Sequence, residues 1–256
     1  MPVPLHVTAL GEGHPLLVLH GLFGQGGNWG GLAKRLAMRR RVLLADLRNH
    51  GDSPHDPHMD YEAMAEDLAA LIAGEGGRVD VLGHSMGGKA AMVLALRHPA
   101  LVDRLVIADI APVRYPPSFR PYAEAMLAIP LRPELRRAEA DAALREAVPD
   151  ASVRAFLLQN LRFGEGGPSW RCNLPVIAGA LDTVSGFPDL PADLRWDGEA
   201  LVISGEESPY VDAAGRAAVL ARFPAAAFAV VPGAGHWVHA EAPEAFLRVV
   251  EPFLAR

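Results

Sequence analysis

The run Gly83-His84-Ser85-Met86-Gly87-Gly88 sets a serine between an apolar stretch at residues 79–82 and an alanine-rich stretch at residues 89–96. The first reads as a buried strand and the second as a helix, so Ser85 falls on the bend between them. A G-x-S-x-G bend needs glycine because neighbouring backbones crowd in where a Cβ would sit. It also holds the hydroxyl in the open at a helix N-terminus, where free N–H groups favour negative charge. That arrangement suits a nucleophile. The competing reading is a glycine-rich turn with an incidental serine.

A serine hydroxyl attacks acyl carbon poorly until a neighbouring base takes its proton. Of ten histidines, His236 is the one on a loop, Pro232-Gly233-Ala234-Gly235-His236-Trp237, directly after the last strand-like run at 227–231. That places it at the carboxyl edge of the sheet, beside Ser85. His239 reads as a helix residue, His84 as packing, and His50, His55, His58 and His98 as loop or helix-end residues. An oxyanion needs two N–H donors aimed at one point. The Met86 amide, just after the nucleophile, is one. The Leu22 amide in His20-Gly21-Leu22-Phe23-Gly24 is the other, with His20 bonding its own loop.

These groups need a sheet to bring them together. Apolar runs at 3–10, 16–19, 42–45, 79–82, 105–108, 200–203 and 227–231 read as strands. Amphipathic stretches at 29–38, 61–73, 87–98, 211–222 and 243–254 read as helices. Asn28 is expected to cap the first helix and Pro243 to open the last. Glu66 and Asp67 read as a solvated helix face. The alternation predicts an α/β fold, a mostly parallel doubly wound sheet flanked by helices. No clear buried strand occurs between Ala111 and Asp197, only a proline cluster and helix-period stretches. A helical lid, inserted after the sixth strand, or else a purely structural appendage, accounts for it. The expected division is 1–111 and 198–256 for the core and 112–197 for the cap.

At 256 residues with 50% apolar and 21% charged residues, the chain has the balance of a globular protein. A net charge of −6 leaves no basic footprint for nucleic acid. The single cysteine, Cys172, excludes an internal disulfide and any cysteine-rich zinc site. No apolar run is long enough to span a membrane and no secretory leader is present, which predicts a cytoplasmic protein with no membrane partner. Nothing in the sequence fixes an oligomeric state.

The chain resembles the α/β-hydrolase superfamily at five ordered motifs: His20–Gly24, Asp46-Leu47-Arg48-Asn49-His50-Gly51-Asp52-Ser53-Pro54, Gly83–Gly88, Asp109-Ile110-Ala111-Pro112 and Gly235-His236-Trp237-Val238-His239-Ala240-Glu241. Within it, the Asp46–Pro54 and Gly83–Lys89 stretches are similar to small bacterial acyl-ester and acyl-CoA thioester hydrolases and their mitochondrial relatives. Many members carry an acid after the strand that follows the lid. Here that loop reads Ser204-Gly205-Glu206-Glu207-Ser208, with serine where the acid is expected. Other members place the acid after the preceding strand, where Asp109 ends an apolar run at a cost unless it is paired. Asp109, Glu206 and Glu207 therefore compete, and Ser208 is either an accessory to the network or a turn residue. The Asp46–Ser53 turn is expected to support neighbouring loops. Phe23, Trp170, Tyr210 and Trp237 are expected to line the acyl pocket or to join the core. Lys89 should snorkel to solvent or steer an anionic substrate.

The resemblance implies a serine esterase or acyl-CoA thioesterase of small substrates, working through an acyl-enzyme without cofactor or metal. Carbon–carbon bond hydrolysis, or a lyase-type elimination on the same residues, is the alternative enzyme class. A catalytically silent binding module is the third. Serine at the nucleophile position excludes halide or epoxide chemistry through an aspartyl ester.

Overall fold

The apolar runs become a seven-stranded sheet in the computed structural model, which describes residues 1–255. The chain enters through β1 (Val7–Leu10) and β2 (Pro15–Leu19). It continues through α1 (Gly30–Leu36), β3 (Arg41–Ala45), α2 (Tyr61–Glu75) and β4 (Val79–His84). After α3 (Met86–Arg97) and β5 (Val102–Ala108) it leaves the sheet. The next elements are α4 (Arg120–Leu127), α5 (Arg137–Leu144), α6 (Ala151–Leu158), β6 (Leu161–Gly164) and β7 (Gly167–Trp170), followed by α7 (Leu174–Gly179) and α8 (Leu181–Ser185). It returns as β8 (Glu199–Gly205), α9 (Ala213–Arg222) and β9 (Ala226–Val231), and ends in α10 (Val238–Glu241) and α11 (Pro243–Leu254).

The strand order is β1-β3-β2-β4-β5-β8-β9, parallel throughout except for β1 against β3. Side chains alternate across it with the two-residue period of a strand. Leu17, Val81 and Leu105 face the cluster built with Met64, Leu68 and Ile72 of α2 and with α3, buried from Met86 to Leu96. Leu16, Val18, Leu82 and Val106 face Leu32 and Leu36 of α1 and Phe246, Val250 and Phe253 of α11. Both faces are therefore covered, which is why the central strands read as continuous apolar runs. Among the described residues no helix is long and apolar enough to cross a membrane.

Four expectations change. Residues 3–6 do not extend β1, because the Val3 amide donates to Asp67 Oδ1 at 2.7 Å and the His6 amide to Ser53 Oγ at 2.8 Å, so side chains replace a strand ladder. Asn28 does not cap α1; its side chain accepts from the Gln25 amide inside the preceding 3-10 turn, Gly26–Trp29. Asp67 is not solvated but buried, gripped by the equally buried Arg48 through Nε at 2.7 Å and Nη2 at 2.8 Å. The long excursion follows the fifth strand rather than the sixth, since a single antiparallel strand precedes the parallel series. It also contains a hairpin, β6–β7, closed where Gly167 takes φ +87°. Its outer residues are exposed, so no buried run announced it.

Candidate active site

The strand order brings four loops to one edge. β2 and β5 flank β4, so the loops at His20–Gly24 and Asp109 rise on either side of Ser85. The loops after β8 and β9 follow at the same carboxyl edge, where open α/β sheets bind ligands. Ser85 stands alone between β4 and α3 with φ 53° and ψ −118°, a conformation strained for any side chain. The bend closes because Gly87 has no Cβ: one there would lie 2.5 Å from the His20 carbonyl oxygen and 2.7 Å from that of Leu19.

His236 Nε2 lies 3.1 Å from Ser85 Oγ, and its Nδ1 lies 2.7 Å from Asp109 Oδ2. The carboxylate fixes the Nδ1–H tautomer and leaves Nε2 as the lone-pair acceptor for the serine proton. Asp109 is fully buried, with φ 53°. Three donors meet its charge: His236 Nδ1, the Gly205 amide at 3.0 Å and the Ser208 hydroxyl. Glu206 instead accepts from the Gly233 amide at 2.9 Å, and both it and Glu207 are exposed. Tyr210 stacks on the His236 ring, centroids 4.0 Å apart, and limits its rotation.

The neighbouring histidines are structural donors and acceptors. His20 donates from Nδ1 to Gly21 O and accepts the Leu47 amide on Nε2. His50 donates to Arg48 O and accepts the Phe23 amide, holding Phe23 at φ 60°. His84 Nε2 donates to the His236 carbonyl at 2.8 Å. His239 stacks on Trp29. Burial holds all four below the ordinary histidine pKa: His20 at about 4, His50 and His239 at about 3, and His84 well down. They therefore stay neutral, the form these hydrogen bonds require.

The Leu22 amide is engaged by no acceptor among the described residues, and the Met86 amide opens α3, where no intrahelical acceptor exists. Two small cavities meet at Ser85 and Leu22. One, about 40 Å³, runs between Met86, Tyr115, Phe119 and Tyr210. The other, about 20 Å³, runs past Phe156, His236 and Trp237. Tyr210 and Trp237 are thus lining residues. Phe23 is not: it is buried behind Phe119, its carbonyl held by Asn160 Nδ2 at 2.8 Å. Trp170 is not either; it ends β7 and packs on the surrounding core. A wider cleft, about 760 Å³, lies at the opposite edge of the sheet among His14, Arg40, Asp103 and Arg104, far from any serine–histidine pair.

The spacing of apolar residues gave no sign of Tyr61, Tyr115, Phe119 and Ser185, which line the cavity of about 40 Å³ beside Ser85. Lys89 lines it too and does not snorkel, being 1% exposed. Its ammonium donates to the carbonyls of Val113, Ser185 and Gly186 at 2.9, 3.0 and 2.5 Å. Desolvating such a charge costs several kcal/mol. Charge-assisted hydrogen bonds, about 1.5–3 kcal/mol each, offset much of that.

The mouse (Mus musculus) sn-1-specific diacylglycerol lipase ABHD11 is 41% identical over 266 residues, which cover 99% of this chain and 86% of that protein. Esterase YbfF of Escherichia coli K12 is 42% identical over 244 residues, 94% of this chain and 92% of that one. Among solved structures, a marine microorganism esterase superposes with a TM-score of 0.94 at 35% identity, covering 98% and 99% of the two chains. Matched over residues 16–249 by the model of the Alpha/beta hydrolase family, with the nucleophile bend and loop order of that fold, the chain belongs to that family.

Proposed function

We propose that this chain hydrolyses carboxylic esters of small acids, and thioesters of the same acyl groups, through an acyl-enzyme on Ser85. The observation that carries the reading is the continuous relay from buried Asp109 through His236 to a strained Ser85, with legs of 2.7 and 3.1 Å. His236 Nε2 takes the serine proton as Oγ attacks the acyl carbon. The resulting oxyanion sits between the Leu22 and Met86 amides. His236 then returns the proton to the departing alkoxide or thiolate, and water repeats the sequence to free the acid. Asp109 holds the imidazole in its tautomer throughout, and Ser208 steadies the carboxylate. The names of the relatives, two esterases and a lipase, support ester hydrolysis as the reaction class.

The small cavity beside Ser85 favours short acyl groups. The excursion between β5 and β8 supplies Tyr115, Phe119, Phe156 and Ser185 to the walls and acts as the lid. A cytoplasmic setting belongs to the same proposal, supported by a lone, buried cysteine with no disulfide partner. The test is intact-mass analysis after a fluorophosphonate probe, followed by turnover of p-nitrophenyl and CoA esters of increasing chain length. A mass increase lost in Ser85→Ala, together with ester turnover, is the expected result. Turnover of neither ester class would reject the reading and favour carbon–carbon cleavage or elimination on the same residues.

A further inference from the structure

Lys89 has no part in the relay, yet it is the charged side chain most deeply enclosed beside it. It lies one helical turn beyond Ser85 on α3 and points to the same cavity. Among the described residues it makes no ion pair. All three of its donors go to backbone carbonyls, and these belong to the two stems of the lid. Val113 lies on the stem leaving β5; Ser185 and Gly186 lie on the stem returning from α8. The stems also touch each other, the Tyr115 amide donating to Ser185 O at 2.9 Å. Beside them the Tyr61 hydroxyl donates to Val184 O at 2.6 Å. Val184, Ser185 and Tyr115 are at the same time walls of the 40 Å³ cavity.

We propose that Lys89 is a positioning residue that draws both lid stems onto the nucleophile helix and thereby holds the acyl cavity to short chains. The inference rests on the ester-hydrolase reading above and adds to it what sets acyl length. Without the ammonium, the carbonyls at the C-terminus of α8 lose their cationic cap and the two stems lose their common anchor. The stems then separate and the cavity lengthens along α3.

The surroundings of the ammonium point the same way. Tyr61 of α2 and Tyr115 of the outgoing stem present ring faces at 5.8 and 4.8 Å, both phenols held neutral by burial. The other charge facing it is the Arg114 cation, while Asp182 at the start of α8 is turned to Arg120. Burial, with a smaller contribution from Arg114, lowers the Lys89 pKa to about 7. Deprotonation leaves two N–H donors for three carbonyls and removes the charge that attracts them. The clamp therefore weakens as pH rises above neutrality.

The experiment measures kcat/KM for p-nitrophenyl acetate and p-nitrophenyl hexanoate in the wild type and in Lys89→Met, from pH 6 to pH 9. The ratio of the two substrates cancels any pH effect on the chemical step that they share. We expect the hexanoate-to-acetate ratio to rise about tenfold in Lys89→Met at pH 6, mostly through a lower KM for hexanoate. In the wild type the ratio should climb toward the variant's value as pH rises, and in the variant it should stay flat. A ratio that is the same in both proteins and flat with pH overturns the proposal. Should Lys89→Met not fold, Lys89→Gln takes its place at pH 6, and a hexanoate-to-acetate ratio equal to that of the wild type overturns the proposal. If the wild type turns over no ester, the ester reading fails separately. The clamp is then read by hydrogen exchange: faster amide exchange at residues 113–117 and 184–187 in Lys89→Met supports it, and unchanged exchange rejects it.

Discussion

Ser85, His236 and Asp109 differ in what their loss removes. Ser85→Ala takes away the attacking oxygen and leaves a methyl that the bend already accommodates, so turnover of p-nitrophenyl acetate should fall on the order of 10⁶-fold with an unchanged circular dichroism spectrum. Asp109→Asn keeps the shape of the buried carboxylate but forces the wrong tautomer on His236, and should lose roughly 10⁴ in kcat. Glu206→Gln should stay within about tenfold, because that side chain is spent on the Gly233 amide and does not reach His236. A dead Glu206→Gln beside an active Asp109→Asn would move the acid to the loop after β8. Ser85 was legible in the sequence because its bend is local, five residues with glycines at fixed offsets. The acid stayed open there because it meets His236 across 127 residues and through a left-handed turn at Asp109, neither of which periodicity records. The aromatic residues show the same limit. Tyr210 and Trp237 reach the cavities, while Phe23 and Trp170 pack into or against the core instead, and only packing distinguishes the pairs.

The bend between β4 and α3 carries a second consequence, because it is also where two loops lock. Gly87 lies against the carbonyls of Leu19 and His20, so Gly87→Ala must push the loop at His20–Gly24 away from Ser85. We expect a loss of about 1–3 kcal/mol in stability from the forced backbone shift, read as a lower urea midpoint. It should come with a fall in kcat larger than the change in KM, since the Leu22 amide moves off the point where charge develops. Equal stability and activity in the variant would mean the two loops are not in register as described. The core elements were readable because a parallel sheet buried on both faces leaves unbroken apolar runs. The excursion between β5 and β8 was readable as the place where those runs stop and as the helix-period stretches that became α4, α5 and α6. Its last two helices are short, α7 of six residues and α8 of five, and its hairpin is half exposed, so none of these has the length or contrast to declare a period.

The assembled molecule encloses four histidines that must remain uncharged, and this sets its response to acid. His20 and His50 hold the loop at His20–Gly24, His84 holds the His236 loop, and His239 fills the space against Trp29. Burial lowers each below the value of about 6.5 that an unfolded chain shows. As pH falls below 6.5, the unfolded chain therefore takes up protons that the folded one refuses, and stability drops by about 1.4 kcal/mol per pH unit for each fully titrating histidine. The drop continues until pH reaches the folded values near 4 and 3. Carboxylates held low by hydrogen bonds and arginine, Asp52 and Glu66 among them, lose their contribution only below their own unfolded range, near pH 4. Between pH 6.5 and 4.5 the histidines should dominate. Urea midpoints taken at pH 7, 6 and 5 should fall with a slope of several protons taken up on unfolding. His239→Phe should reduce that slope by about one proton, because His239 Nδ1 has no partner to lose and the phenyl ring can keep the stack on Trp29. A wild-type midpoint that stays level from pH 7 to pH 5 would mean these imidazoles accept protons in place. The hydrogen bonds they make to the two active-site loops would then have to be drawn differently.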